Sequence, residues 1–406
     1  MAKRLDEEEI LRSSYTKYED PFVSICIGRQ LVEISRRILR DIPDLVALFL
    51  IGGYARGEGS VLLEENGIVP LGDYDFLAIT SFPHLHSSFP WLEDMRKRFR
   101  VQYHIGVSPL WKPLLPFLGR RIYWYEAKFG SRLLYGDGHV LDMIPIKDGS
   151  EIDLGEGFSL IFNRLMGLLQ VFDPTYMESC VDIVQRQDLI FQSVKVILSC
   201  GESLLLLNGK YHFSYEARSR RLLKSIDGCF GDLVRADPSL RKDYEKATNF
   251  KLKPDFETYE DPVKLWFTAK QHALETLLFY ARRTLRRTKA LRAGYGHLPG
   301  VLLGSSKPNV LDFIKFNWNS VRYVGSLRGI GKVGASYADV VRASICYLAL
   351  SMREDGSIRE ELLDKALSKV EYILPTIDLK TQGKDLREKW RLVRDAILFA
   401  WTLVRQ

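Results

Sequence analysis

Two neighbouring stretches constrain this chain more than any others: LFLIGGYARGEGS, Leu48 to Ser60, and GDYDFLAI, Gly72 to Ile79. The first continues an apolar run of strand length, Val46 to Ile51, which Gly52 and Gly53 bring to a stop. The second carries two aspartates one residue apart. Side chains alternate faces along a strand, so Asp73 and Asp75 share a face while Tyr74 and Phe76 point the other way into a core. Neighbouring carboxylates repel each other, and folding alone gives no reason to pair them. A divalent cation does. Mg²⁺ takes hard oxygen ligands, usually one or two carboxylates completed by phosphate oxygens and water. Such a centre activates an attacking oxygen and neutralises a leaving group.

The glycines complement this reading. Glycine permits a tight turn and lets a ligand approach the backbone closely. Amides exposed in a turn that opens a helix attract phosphate. Tyr54 to Gly59 is expected to form that first helical turn, with Arg56 beside the phosphates. The residues expected to contact a nucleotide are therefore Gly52, Gly53, Tyr54 and Arg56. Those expected to hold metal are Asp73 and Asp75.

At these residues the chain resembles the nucleotidyltransferase superfamily of DNA polymerase β, in particular its minimal and kanamycin nucleotidyltransferase-like branch. The resemblance rests on Gly52-Gly53, Ala55-Arg56-Gly57-Glu58 and Asp73-Tyr74-Asp75, and covers about Leu45 to Gly106. It implies that Gly53 and its neighbours cradle the phosphates of an NTP, ATP first among them. It also implies that Asp73 and Asp75 bind Mg²⁺, with Mn²⁺ as the alternative. Two departures stand out. Nineteen residues (54–72) separate Gly53 from Asp73, and Val61 to Leu71 reads as an inserted hairpin with Asn66-Gly67 as its turn. The family often has a third carboxylate on a later strand. The strand expected at Arg100 to Val107 has His104 there and no acid. His104 is open to reading as a metal or substrate ligand, as the mark of a lost catalytic position, or as an ordinary sheet histidine, and the last is favoured.

With 406 residues, the chain has room for two or three domains. Hydrophobic residues at 46% and charged residues at 27% are those of an ordinary water-soluble chain. A net charge of +7 suits an anionic substrate without requiring nucleic acid. The five cysteines are widely spaced and odd in number, which suggests buried thiols in the cytoplasm rather than disulfides. The opening MAKRLDEEEILRSS does not read as a secretory signal. No run reaches the roughly 18 apolar residues of a membrane helix.

The fold class expected is α+β, with a small mixed-sheet nucleotidyltransferase core followed by a large all-α region. Residues 1–18 form a polar segment, 19–150 the catalytic domain, 151–293 a helical domain and 294–406 a C-terminal helical domain. Asp20-Pro21 starts a helix with Ile27, Leu31, Ile34 and Ile38 on one face. Trp91 to Phe99 reads as a short helix, Ser108 to Pro116 as a proline-broken connection and Arg120 to Tyr125 as an aromatic strand. His84 and His86 read as a loop pair rather than zinc ligands.

In the helical region, Asp182 to Leu207 is a long helix on which Lys195, Ser199 and Glu202 form a polar stripe. That stripe is either a solvated face or a substrate wall facing the aspartates. In the second case Lys195 offsets phosphate charge and, as the resemblance suggests, Glu202 serves as a base. Tyr211, His212 and Tyr215 either line the same cleft or pack as ordinary amphipathic residues. Asp261-Pro262 starts another helix, which ends in a basic cluster from Arg282 to Arg292. Gly294 to Asn309 reads as a linker and Gly325 to Gly334 as a loop without the Walker pattern.

Together these features point to a Mg²⁺-dependent nucleotidyltransferase that joins a nucleoside monophosphate to a hydroxyl acceptor and releases pyrophosphate. A small molecule, a protein hydroxyl and an RNA end are all admissible acceptors, and a homo-oligomer is admissible too. The alternatives are a degenerate nucleotide-binding sensor or scaffold, supported by the missing third acid, and an RNA-binding helical protein, supported by the Arg282 cluster.

Overall fold

The computed structural model describes residues 5–65, 67–84, 89–285, 297–305, 336–374, 379 and 381–405. A short helix, α1 (Glu7–Arg12), precedes the long α2 (Pro21–Asp41). The start of α2 follows its sequence: the Asp20 carboxylate accepts the Phe22 N–H at 2.9 Å and Pro21 occupies the first turn. Ile27, Leu31, Ile34 and Ile38 are fully buried, as their helical spacing requires.

The chain continues through β1 (Leu45–Ile51), β2 (Val61–Glu64), β3 (Gly67–Pro70), β4 (Tyr74–Thr80), α3 (Trp91–Arg98), β5 (Ile105–Trp111), α4 (Ile122–Gly130) and β6 (Arg132–Gly136). Four strands form one sheet in the order β5-β4-β1-β6. β4 and β5 are parallel, and the other pairs are antiparallel. One face of the sheet, with Leu48, Leu50, Tyr74, Phe76 and Ala78, shares a core with α2. The opposite face, with Phe49, Ile51, Leu77 and Ile79, shares a core with Tyr125 and Ala127 of α4 and with Val140 and Leu141. Cover on both faces explains why β1 is apolar at every position. This mixed sheet followed by helices is the α+β class expected.

The inserted hairpin is present. β2 and β3 pair antiparallel with Glu64 opposite Gly67, and Asn66 lies outside the described residues. The strand at residues 100–107 is displaced. Arg100 has φ 55, a left-handed turn conformation, and β5 begins only at Ile105. It then runs through Pro109 in place of the expected broken connection, because β5 is a sheet edge where a missing N–H costs no ladder bond. Arg120 to Tyr125 is not a strand but the approach to and first turn of α4. Ile122, Tyr125 and Phe129 recur at helical spacing, and the Tyr125 and Phe129 rings lie 5.1 Å apart, centroid to centroid.

The remaining helices are α5 (Gly155–Gln170), α6 (Ile183–Leu207), α7 (Tyr215–Cys229), α8 (Gly231–Ala236), α9 (Leu240–Leu252), α10 (Pro262–Thr284), α11 (Leu298–Ser305), α12 (Tyr337–Ser351), α13 (Glu360–Ile373) and α14 (Leu386–Arg405). α11 occupies part of the stretch expected to be a linker. Leu311 to Tyr323 and Gly325 to Gly334 lie outside the described residues.

The chain divides into two compact units. The first is Met1–Glu156 with Leu205–Cys229 and Arg241–Thr258; the second is Gly157–Leu204, Phe230–Leu240 and Tyr259–Gln406. The first unit thus extends past the boundary expected at residue 150 by taking in later helices. The second draws on both helical ranges. Within it, Trp266 stacks on Phe172 at 4.0 Å, and its indole N–H donates to the Leu168 carbonyl at 2.8 Å. α6 is long and apolar enough to cross a membrane, but 89% of its most apolar window is buried among its own neighbours.

Candidate functional site

β1 delivers the chain to Gly52, whose φ of 80° turns it sharply. A single 3₁₀ turn follows, Tyr54–Arg56, and Gly57 ends it with φ 71°. The expected longer helical opening is therefore absent. The bonds closing this turn are donated by the N–H groups of Arg56, Gly57 and Glu58. The amides of residues 52–55, which open the turn, donate to none of these bonds.

Asp75 stands beside that turn. It pairs in register with Ile51 at the end of β1, and its Oδ2 would lie 3.8 Å from a β-carbon on Gly52. Asp73 immediately precedes β4, and both aspartates are partly exposed, whereas Tyr74 and Phe76 are buried. Tyr74 and Phe76 thus point into the core as expected. On the other side of Asp75 the register partner is Gly106 of β5. A β-carbon there would stand 3.3 Å from Asp75 Oδ1 and only 2.8 Å from Nε2 of the exposed His104. Two glycines therefore flank one carboxylate, and the His104 ring occupies the space beside Gly106. Tyr123 of α4 borders the same side. Burial pushes its phenol up to about 12, a hydrogen bond with Ser108 opposes the rise, and the charge of Asp75 adds to it.

Arg56 has a different place from the one expected. Its side chain is 4% exposed and paired with Glu58 at 3.5 Å and Glu126 at 3.3 Å. Glu126 also meets Arg218 at 3.4 Å and accepts the Tyr211 hydroxyl at 2.6 Å. Burial alone would raise the Glu126 carboxyl. Arg56, Arg218 and the bond from Tyr211 outweigh it and hold the group below its ordinary value. Tyr54 is likewise inside. Its ring meets Tyr74 edge-on at 4.7 Å, its hydroxyl donates to the Ser60 carbonyl at 2.6 Å, and burial raises its phenol well above the ordinary value. Tyr54 is therefore not placed to contact a ligand through its side chain.

Lys195 and Glu202 belong to the second unit, and the turn and the aspartates to the first. Lys195 Nζ lies 4.4 Å from the Phe191 ring centroid. Ser199 and Glu202 are 1% and 5% exposed, so the polar stripe of α6 is not a solvated face. Of the aromatic group after α6, Tyr211 is buried in the Glu126 network, and His212 stacks on Phe213 at 4.2 Å. His84 pairs with Asp44 at 2.8 Å, and His86 lies outside the described residues. So do Arg286, Arg287, Lys289 and Arg292 of the basic cluster.

Sequence reasoning named Glu58 only as part of a motif, without a role, and missed Glu126, Arg218, Gly106 and Tyr123. Gly106 carried a usable signal, since glycine inside a strand often marks close approach of a ligand or another backbone. The charged network carried none, because its members are scattered from residue 56 to 218.

Among the described residues, no three His, Cys, Asp or Glu side chains stand close enough together to hold a metal ion as they are placed. Two aspartates fit a hard cation that takes its remaining ligands from phosphate and water. No protein-family model matches the chain, and a search of curated proteins finds no similar sequence.

Proposed function

We propose that the first unit is a divalent-metal-dependent nucleotidyltransferase, with an NTP as donor and a hydroxyl group as acceptor. The observation that carries this reading is the position of Asp75. Its carboxylate lies beside Gly52 and Gly106, at the end of β1 where the backbone turns sharply at Gly52. The partly exposed backbone of Gly52 and Gly53 would receive the phosphates. Asp73 and Asp75 would hold the cation, which when bound offsets charge on the phosphate oxygens. Arg56 orders the turn through Glu58 and Glu126. A small molecule, a protein hydroxyl or an RNA end remains admissible as acceptor. The five thiols, none of them in a disulfide, are consistent with action in the cytoplasm.

A second reading, a nucleotide-binding protein without turnover, is favoured by one observation: Gly106 of β5 and His104 just before it lie beside Asp75, where no carboxylate of β5 is offered. One experiment separates the two. The full chain is incubated with α-labelled NTPs and Mg²⁺ or Mn²⁺, and pyrophosphate release and label transfer are followed. Turnover that disappears in Asp73→Asn with Asp75→Asn supports the enzyme. Metal-dependent nucleotide binding without turnover supports the second reading.

A further inference from the structure

We infer that Glu126 is a positioning residue for the glycine turn: acting through Arg56, it sets the backbone of Gly53 for phosphate. The inference rests on the nucleotide site proposed above and deepens it.

The Gly53 carbonyl accepts two backbone N–H groups, that of Arg56 at 3.1 Å and that of Glu58 at 2.8 Å. The turn is folded so tightly that a β-carbon on Gly53 would stand 3.0 Å from the Glu58 carbonyl oxygen. The two residues that hold Gly53 by their amides are the same two whose side chains are pinned by distant parts of the first unit. Glu58 accepts the Ser214 hydroxyl at 2.7 Å and the Tyr215 N–H at 2.9 Å. Arg56 donates from Nη1 to Glu126 of α4 at 3.3 Å. Its path runs beside Gly130, one turn after Glu126 on the same helix, where a β-carbon would stand 3.1 Å from Arg56 Cδ. α4 thus supplies both the carboxylate that Arg56 meets and the bare backbone its chain passes.

Glu126 is itself fixed. It accepts the Tyr211 hydroxyl at 2.6 Å and meets Arg218 at 3.4 Å. Arg218 is 1% exposed and donates to the Tyr211 hydroxyl at 2.8 Å and to the Phe213 carbonyl at 3.0 Å. Residues 211–218 therefore brace both acids, Glu58 directly and Glu126 through Tyr211 and Arg218.

Two roles for Glu126 carry opposite signs. Acting only as a charge, it repels an anionic ligand, and its loss strengthens nucleotide binding. Acting as a positioning residue, its loss leaves buried Arg56 without one of its two counter-charges, releases the Arg56 end of the turn and weakens binding.

The test measures ATP and AMP affinity of the full chain with Mg²⁺ near neutral pH, by isothermal titration calorimetry. The proteins are wild type, Glu126→Gln, Arg56→Lys and the double variant. Glu126→Gln is expected to weaken ATP by about 10–100-fold, as loss of a group that orients a binding element commonly does. AMP, with fewer phosphates for the turn, is expected to lose less. The double variant is expected to bind no more weakly than Arg56→Lys, because residues that act through one another do not add. Circular dichroism checks folding. If Glu126→Gln does not fold, Glu126→Asp, which keeps the carboxylate one methylene short of Arg56, takes its place with the same expectation of sign. Unchanged or tighter ATP binding in the Glu126 variant, equal losses for ATP and AMP, or losses that simply add in the double variant overturn the inference alone. ATP binding that survives in Asp73→Asn with Asp75→Asn, or wild-type protein that binds no ATP, overturns the site reading and the inference with it.

Discussion

The Glu58 carboxylate accepts the backbone N–H of Tyr215 at 2.9 Å. It also accepts the Ser214 hydroxyl at 2.7 Å and the Glu216 N–H at 3.2 Å. An acid in the glycine-rich stretch thus caps α7, a helix more than 150 residues further on, within the same unit. The first turn of a helix leaves its amides unpaired and carries partial positive charge, so a carboxylate there is doubly favourable. Glu58 is 1% exposed. Glu58→Ala would strand those donors and is expected to cost about 3 kcal/mol. Guanidinium unfolding followed by circular dichroism measures it, and an unchanged midpoint would remove Glu58 from this role.

The network around Glu126 makes the first unit sensitive to acid. The folded-state pKa of Glu126 lies below its ordinary value of 4.5. The unfolded chain therefore binds this proton more readily than the folded one. The resulting stability is present in full above the ordinary value and is lost as pH falls through the folded value. Glu126→Gln is expected to flatten the decline in unfolding free energy below about pH 4.5, while lowering stability at pH 7 because Arg56 and Arg218 lose a counter-charge. Melts at several pH values would show whether the slope is the same in both proteins, which would exclude this group as its source.

In the second unit, Lys270 gives stability the same sign of pH dependence for a different reason, since here burial disfavours the charged form. Its ammonium is 8% exposed, donates to the Met352 carbonyl at 2.5 Å and lies 4.5 Å from the Phe267 ring centroid. Burial lowers its pKa from 10.5 to about 7. Between those values the unfolded chain binds more protons, so stability rises with pH across that window. Below pH 7 the full penalty of a buried charge remains. Lys270→Met is expected to stabilise the protein on the order of 2 kcal/mol at pH 6, after loss of the hydrogen bond, and to have less effect near pH 10. Paired unfolding curves at the two pH values measure it, and an equal effect at both would contradict the assignment.

Two glycines should respond in opposite directions. A β-carbon on Gly59 would stand 2.1 Å from Tyr54 Cδ1 and 2.8 Å from the Tyr15 carbonyl oxygen. Gly59→Ala must displace a buried ring and is expected to cost about 1–3 kcal/mol. Gly228 lies in α7 with nothing within 4 Å of such a carbon. Gly228→Ala is expected to gain about 0.4–1 kcal/mol by restricting the unfolded chain. Thermal melts of the two variants suffice, and a destabilised Gly228→Ala would show that the helix end needs glycine.

The sheet and its carboxylates were legible because their signals are local. The apolar run of β1, the cap at Asp20-Pro21 and the alternation of Asp73, Tyr74, Asp75 and Phe76 each lie within one element, where periodicity reports burial. Reading α4 as a strand failed for a related reason: six aromatic-rich residues show no period, and helical spacing emerges only when Phe129 is included. Lys195 and Glu202 were assigned from a stripe on α6 alone. Whether a polar residue on a long helix meets solvent or the core depends on which helices cover it, and spacing along one helix does not encode that.

By itself, the sequence determined the strand, the glycine turn and the inward side of Tyr74 and Phe76, since these follow from backbone geometry and side-chain alternation over a few residues. Tertiary structure alone decided that Arg56 turns inward to Glu58 and Glu126, that Glu58 caps α7, and that Gly106 and His104 lie beside Asp75. Those outcomes depend on strand register and on the meeting of groups distant in the chain. There, the cost of burying a charge selects its partner, whatever the distance along the sequence.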